Sequence, residues 1–128
     1  MAYVDPISIA RRAVASLLLV MFAGAAAADP PLVTAVTLTQ APSGQWRFDV
    51  TVTHPDSGWD HYADGWRIED ASGNQLGLRT LAHPHVDEQP FTRSLAGVAI
   101  PDDIAQVYAR ARCNIDGWSD AVFQVTLK

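Results

Sequence analysis

Apolar and polar residues alternate through most of the chain, and this period of two constrains the fold more than any other feature. In residues 45–54, Trp46, Phe48, Val50 and Val52 share one face, and charged residues and threonines occupy the other. Because successive side chains of a strand point to opposite faces, this pattern predicts half-buried strands. Clusters of turn-forming residues separate the alternating segments. The segments that we predict to be strands are 32–40, 45–54, a stretch around Trp66, 75–81, 91–100, 107–113 and 121–127.

About seven short strands with no convincing amphipathic helix predict an all-β fold, because strands at a spacing of about 8–12 residues are typical of β-sandwiches. We expect one antiparallel β-sandwich domain over residues 29–128. Trp46 and Trp66 lie on the apolar faces of their strands, so we expect both indoles in the core.

Residues 1–28 have a different composition from the rest of the chain. Arg11 and Arg12 precede a run of apolar and small residues that ends at Ala26-Ala27-Ala28. A positive flank, an apolar core and small residues at the end are the layout of a secretory signal peptide, with cleavage predicted after Ala28. The apolar core is shorter than the roughly 20 residues of a membrane-spanning helix. We therefore expect a periplasmic or secreted protein, with no membrane insertion after cleavage and no lipid anchor on a cysteine.

Composition excludes several classes of function. The 128 residues carry a formal net charge of -5, whereas nucleic acids and anionic lipids favour basic surfaces. The single cysteine, Cys113, excludes an internal disulfide and a CxxC site. It closes an alternating apolar run, so we expect it to behave as a small hydrophobic residue. No nucleophile elbow or phosphate-binding glycine loop is present. We expect a protein that is not an enzyme.

Three parts of the chain resemble known proteins. The stretch from Ile100 to Ser119, with its alternating alanines and Gly117-Trp118, resembles the penultimate strand and following hairpin of fibronectin type III and other immunoglobulin-like domains. Trp66 resembles the buried tryptophan of such sandwiches. The strings HPDSGWDHYADGW (54–66) and HPHVDEQPFTRSL (83–95) are similar to those of small exported bacterial proteins of unassigned activity. The resemblance implies an immunoglobulin-like fold without the paired cysteines, and an exported location.

All four histidines fall in two segments that we predict to be loops, and this grouping suggests a metal site. His83 and His85 would project to the same side of an extended segment and could bind one ion. His54 or His61 would supply a third nitrogen. Asp60 or Glu88 would be a further ligand or would orient one. Because imidazole suits these metals, copper or zinc is the ion that we would expect.

The same residues also allow a reading without a metal. Histidines beside prolines at strand ends commonly bond to loop backbone, and the four side chains could be purely structural. Trp59 and Trp118 each follow a glycine, in loops, and could form an aromatic platform for a ligand. The alternative function is therefore an interaction domain for a protein or a glycan. The sequence does not identify the partner, which would be either a protein or a metal acceptor.

Overall fold

The computed structural model describes residues 29–128, and the predicted signal peptide at residues 1–28 lies outside the described residues. The described part of the chain forms eight strands and no helix, so it contains no helical segment able to cross a membrane. The strands are β1 (Leu32–Gln40), β2 (Trp46–Thr53), β3 (Ala63–Glu69), β4 (Gln75–Thr80), β5 (Phe91–Val98), β6 (Gln106–Cys113), β7 (Gly117–Trp118) and β8 (Phe123–Thr126).

The strands form two antiparallel sheets. The smaller sheet has the order β1-β2-β5, and the larger sheet has the order β4-β3-β6-β7. β8 also pairs directly with β6, along residues 106–109, whereas β7 pairs with Arg112 and Cys113. In the smaller sheet Val52 lies opposite Phe91, and in the larger sheet Ala63 lies opposite Cys113. The connections from β2 to β3 and from β4 to β5 each cross from one sheet to the other. This crossing brings loops from both sheets to one end of the domain.

The prediction of an all-β antiparallel fold is confirmed, with one strand more than the seven expected. The additional strand, β7, contains only Gly117 and Trp118, which pair with Cys113 and Arg112. Two residues are too few to show a period of two, so alternation could not predict this strand. The last strand begins at Phe123, two residues later than the alternation from Ala121 suggests.

The core lies between the facing sides of the two sheets. Phe48, Val50 and Val52 of the smaller sheet are fully buried, as are Trp66 and Ile68 of the larger sheet. Trp46 is 8% exposed. The core cluster draws residues from both sheets, as in a β-sandwich, and both expected core tryptophans belong to it. The inward face of each strand therefore contributes the hydrophobic free energy that stabilises the domain.

The outer face of the larger sheet carries a network of charged side chains around Glu69. Arg67 Nε donates to Glu69 Oε2 at 2.8 Å, and Arg110 NH2 donates to Oε1 at 2.8 Å. The Arg67 guanidinium also lies 4.2 Å from the centre of the Trp118 ring. Burial alone would raise the pKa of Glu69, but the hydrogen bonds and positive charges of Arg110 and Arg67 outweigh it and lower this pKa below its ordinary value of 4.5.

Replacing Trp66 tests its place in the core. We expect Trp66→Ala to lower the free energy of unfolding by about 3–5 kcal/mol, because it removes a large, fully buried ring. Urea unfolding at neutral pH measures this loss. Trp59→Ala is the matched control, since Trp59 is 66% exposed and should change stability by about 0.5 kcal/mol or less. Equal losses in the two variants would contradict the assignment of Trp66 to the core.

The depressed pKa of Glu69 predicts a pH dependence of stability. A carboxylate whose pKa is lower in the folded state adds stability above its unfolded pKa, and this stability is lost as pH falls through the folded value. We therefore expect Glu69→Gln to be less stable than the wild type at neutral pH. The difference should shrink as pH falls below 4.5. Urea unfolding of both proteins over this range measures it, and a difference that does not change with pH would contradict the prediction.

Candidate metal centre

Three connections meet at the end of the domain where β2 and β6 finish. They are the β2–β3 loop at residues 54–62, the β4–β5 loop at residues 81–90, and the β6–β7 turn at residues 114–116. The backbone N–H of Leu81 donates to the carbonyl oxygen of Asp64, and Asn114 is hydrogen-bonded to Tyr62. Both histidine-containing loops therefore lie at the same end of the two sheets.

The Asp56 carboxylate joins these loops from the inside. Its side chain is completely buried. Oδ1 accepts hydrogen bonds from His54 Nδ1 at 2.6 Å and from the backbone N–H of Ala63 at 2.9 Å. Oδ2 accepts one from the backbone N–H of His85 at 2.8 Å. A buried carboxylate needs such donors, because an unpartnered one would carry a large desolvation cost. Asp56 therefore holds the end of β2, the start of β3 and the β4–β5 loop together.

His54 has one ring nitrogen in use and one without a hydrogen-bonding partner. Because a carboxylate accepts hydrogen bonds, Nδ1 donates to Asp56, and in the neutral form of the ring the lone pair lies on Nε2. Nε2 is buried and has no hydrogen-bonding partner. Since buried polar atoms are nearly always paired, this nitrogen is an exception that requires an explanation.

His61 and Cys113 lie beside His54. His61 Nε2 is 3.5 Å from Cys113 Sγ, and the His54 and His61 rings meet edge to face with their centres 4.7 Å apart. Each of the three side chains offers one ligand atom, and these three atoms lie within 4.8 Å of one another. Such spacing allows a single metal ion to contact all three. We call His54, His61 and Cys113 the His2Cys cluster.

Local backbone geometry places His61 against the end of β6. The backbone N–H of His61 donates to the carbonyl oxygen of Gly58 at 3.2 Å, which closes a tight turn. Gly58 has a φ of 144°, a conformation that a residue with a Cβ rarely adopts. Asn114 accepts from the Tyr62 N–H at 2.9 Å and donates to the Trp59 carbonyl oxygen at 3.2 Å. These bonds fasten the β2–β3 loop to the residue that follows Cys113.

Asp116 approaches the His2Cys cluster from the β6–β7 turn. Its backbone N–H donates to Cys113 Sγ at 3.1 Å, and its Oδ2 lies 3.4 Å from the same sulfur. Oδ2 is also 3.7 Å from His61 Nε2. The turn ends at Gly117, whose positive φ of 74° returns the chain to β7. The turn thereby carries the carboxylate back over the sulfur.

The donor set of the cluster suits a transition metal. Two imidazoles and a thiolate are ligands of zinc and of copper, whereas calcium and magnesium prefer oxygen. The bond from His54 to Asp56 is the carboxylate–histidine arrangement that orients a metal-binding imidazole and increases its basicity. The burial of His54 and Cys113 keeps water away from two of the three ligand atoms.

The other two predicted metal ligands have different neighbours. The ring centres of His83 and His85 are 4.5 Å apart, and His85 stacks on Phe91 at 3.8 Å. Arg93 donates to His85 Nε2 at 2.8 Å, and His83 Nδ1 bonds to the carbonyl oxygen of Pro84. Burial lowers the pKa of His85, and the nearby Arg93 charge lowers it further. Within residues 29–128, neither ring belongs to the His2Cys cluster.

The predicted acidic ligands lie outside the His2Cys cluster. The Asp60 side chain is exposed, and its backbone carbonyl oxygen accepts from Asn114 at 3.3 Å. Glu88 is also exposed and lies 3.5 Å from Arg93 NH1. A pair of this kind at the surface contributes about 1 kcal/mol or less to stability. Both carboxylates therefore have ordinary surface surroundings.

The two predicted aromatic platforms differ in exposure. Trp59 is 66% exposed and contacts Tyr62 edge to face, with ring centres 5.6 Å apart. Trp118 is partly buried, and the Arg67 guanidinium covers one face of its ring. Trp118 also lines a shallow cleft with Tyr62, Asp64 and Arg112. Trp59 thus lies at the same end of the domain as the His2Cys cluster, and Trp118 lies on the outer face of the larger sheet.

Sequence reasoning did not assign Cys113, Asp56 or Asp116 to a site. Cys113 is buried, as expected, yet it reaches His61 from 52 positions away in the chain. No local sequence motif predicts the contact between Cys113 and His61, because it depends on the pairing of Ala63 with Cys113. The spacing of Cys113 and Asp116, three positions apart and followed by a glycine, is the signal that could have indicated a turn that brings a carboxylate to the sulfur.

Comparisons with known proteins identify a relative but no family. No protein-family model and no solved structure matches the chain. A protein of Halomicrobium mukohataei described as "Putative lipoprotein" is 39% identical over 83 residues. The match covers 65% of this chain and 40% of the relative, so the chain spans less than half the length of that protein.

Asp56 provides a direct test of how this end of the domain is held. We expect Asp56→Ala to lower the free energy of unfolding by about 3 kcal/mol or more, because it leaves three buried donors without an acceptor at about 1–3 kcal/mol each. Urea unfolding measures the loss. Asp60→Ala removes an exposed carboxylate from the same loop and should be nearly neutral. A loss in Asp56→Ala no larger than in this control would refute the role given to Asp56.

Proposed function

We propose that this chain is an exported, non-catalytic β-sandwich protein that binds a transition metal ion, copper or zinc, through His54, His61 and Cys113. The observation that carries the proposal is that His54 Nε2 is buried and has no hydrogen-bonding partner, while Nδ1 of the same ring is hydrogen-bonded to Asp56. An ion bound to Nε2, His61 and Cys113 would satisfy that nitrogen and use the thiolate beside it.

Two observations support export. Residues 1–28 have the composition of a signal peptide. The relative from Halomicrobium mukohataei is described as a "Putative lipoprotein", and lipoproteins are exported. We propose a periplasmic or secreted location on these grounds.

The strand order supports an immunoglobulin-like fold of the fibronectin type III kind. In constant-type immunoglobulin domains the fourth strand joins the sheet of the first and second strands. Here β4 pairs with β3 in the other sheet, and β1, β2 and β5 remain as a sheet of three. This arrangement agrees with the resemblance noted for residues 100–119 and for Trp66. Since the fold hosts many functions, the proposed function depends on the cluster alone.

Metal titration tests the proposed function. We expect the purified, reduced protein to bind one equivalent of Zn(II) or Cu(I) in calorimetric titrations at neutral pH. His61→Ala and Cys113→Ser should each weaken binding by at least about tenfold, because each removes a direct ligand and even supporting residues of metal sites cost that much. Bound metal should also raise the unfolding temperature, because it binds the folded chain.

His83→Ala is the matched control for these variants, because it removes an exposed imidazole outside the cluster. It should bind metal as the wild type does. Absence of stoichiometric binding in the wild type would refute the metal-binding proposal. Loss of binding in His83→Ala with retention in His61→Ala would transfer the site to the His83 and His85 loop.

Trp59 favours a second candidate function, an interaction domain for a protein or a glycan. The Trp59 indole is 66% exposed, and Ile115, which is 64% exposed, lies on the turn that is hydrogen-bonded to the loop of Trp59. Aromatic side chains of this kind often contribute most to binding. If the metal titration fails, capture of a partner by the wild type and not by Trp59→Ala would support this function.

A further inference from the structure

We propose that Asp116 is the fourth ligand of the His2Cys cluster and closes it into a tetrahedral site for a divalent cation of the zinc class. This inference rests on the proposed function and deepens it, because it selects the class of metal and the type of site. Three ligand atoms on one ion leave a position for water, and a fourth protein ligand removes that position.

The distances around Asp116 match the edges of a tetrahedral site. A zinc ion with bonds of about 2.0–2.3 Å separates its ligand atoms by about 3.3–3.6 Å. His61 Nε2 and Cys113 Sγ are 3.5 Å apart, and Cys113 Sγ and Asp116 Oδ2 are 3.4 Å apart. His61 Nε2 and Asp116 Oδ2 are 3.7 Å apart. These three atoms therefore form one triangular face of about the required size. Asp116 does not belong to the group whose ligand atoms lie within 4.8 Å of one another, so His54 becomes the fourth corner only if its side chain or that of Asp116 moves toward the ion.

A bound metal ion would replace the proton of the Cys113 thiol. Without metal, the Cys113 thiol donates toward Asp116 Oδ2. A divalent cation that binds both atoms takes the place of this proton, which is released to solvent because the thiolate is the ligand. The thiolate and the Asp116 carboxylate together carry two negative charges, and the cation neutralises both. The backbone N–H of Asp116, 3.1 Å from the sulfur, remains available as a donor to the thiolate.

The independent indication of a ligand comes from His54, which makes no contact with the β6–β7 turn among the hydrogen bonds of the described residues. Its side chain is completely buried, and its Nε2 has no hydrogen-bonding partner. The side chains of His61 and Asp116 are 28% and 36% exposed, so the ion has a route from solvent. The site would thus be buried on the His54 side and accessible on the Asp116 side.

A closed site would hold its metal as a structural link. The ion would join the end of β2 and the β2–β3 loop to the end of β6 and the β6–β7 turn. Because β2 and β6 belong to different sheets, the ion would connect one sheet to the other. A set of one carboxylate, one thiolate and two imidazoles suits zinc, which accepts both hard and soft ligands. It suits Cu(I) less well, because Cu(I) prefers softer ligands. We therefore expect a site that retains a zinc-class ion and leaves no open position for substrate.

Cobalt substitution tests the fourth ligand. The wild type, loaded with one equivalent of Co(II) in the reduced state, should show a thiolate-to-cobalt charge-transfer band and the strong visible absorption of four-coordinate cobalt. Added azide should leave this spectrum unchanged, because no position is open. In Asp116→Ala the charge-transfer band should remain, since Cys113 still binds, and azide should now shift the visible bands. The affinity for Zn(II) should fall by at least about tenfold.

Asp60→Ala is the matched control, because it removes an exposed carboxylate from the facing loop and should behave as the wild type. Unfolding curves of metal-free Asp116→Ala verify that the variant is folded, and Asp116→Asn provides a second variant of nearly the same shape. If azide shifts the wild-type and Asp116→Ala spectra equally, Asp116 is not a ligand, and the His2Cys proposal stands without it. If cobalt produces no charge-transfer band in the wild type, the zinc-class site is refuted, and the calorimetric titration with Cu(I) then decides whether the proposed function is refuted with it.

Discussion

The buried carboxylate of Asp56 is the interaction on which the end of the domain with the candidate metal centre depends. It accepts hydrogen bonds from His54 and Ala63, at the two ends of its own loop, and from His85, which lies 29 positions away in the chain. Because the carboxylate is removed from water, each of these bonds is needed to offset its desolvation. The same three bonds determine where the end of β2, the start of β3 and the β4–β5 loop lie relative to one another.

This arrangement joins stability to the proposed chemistry. The bond from His54 to Asp56 keeps the proton on Nδ1 and leaves the lone pair of Nε2 for a metal. The Asn114 bonds and the turn at Gly58 bring His61 to the sulfur of Cys113. The cluster is therefore held by backbone and side-chain bonds that do not themselves require a metal, and the proposed ligands are already close together.

Histidine grouping gave His83 and His85 as the main candidates, with His54 or His61 as a third ligand, and it did not indicate that Cys113 lies beside His54 and His61. His54 and His61 were candidates because both lie in one turn-rich segment, and the structure places their rings together. Cys113 was interpreted as a core residue from its place at the end of an alternating run. Its burial agrees with that interpretation, but its sulfur also faces His61, and alternation carries no information about which loop lies beside a strand end. The packing of His85 on Phe91 and its bond from Arg93 likewise depend on long-range pairing.

The period of two and the turn residues were sufficient to predict an all-β antiparallel fold and the inward positions of Trp46 and Trp66. Such local patterns suffice because the free energy of burying one face acts on each strand separately. Strand order, the short β7 and the contact between His61 and Cys113 were decided by the tertiary structure. These features depend on which strands pair and where their ends meet, and that choice comes from the packing of the two sheets as a whole. The candidate metal centre forms only at this level, because its ligands come from two connections that are far apart in the chain.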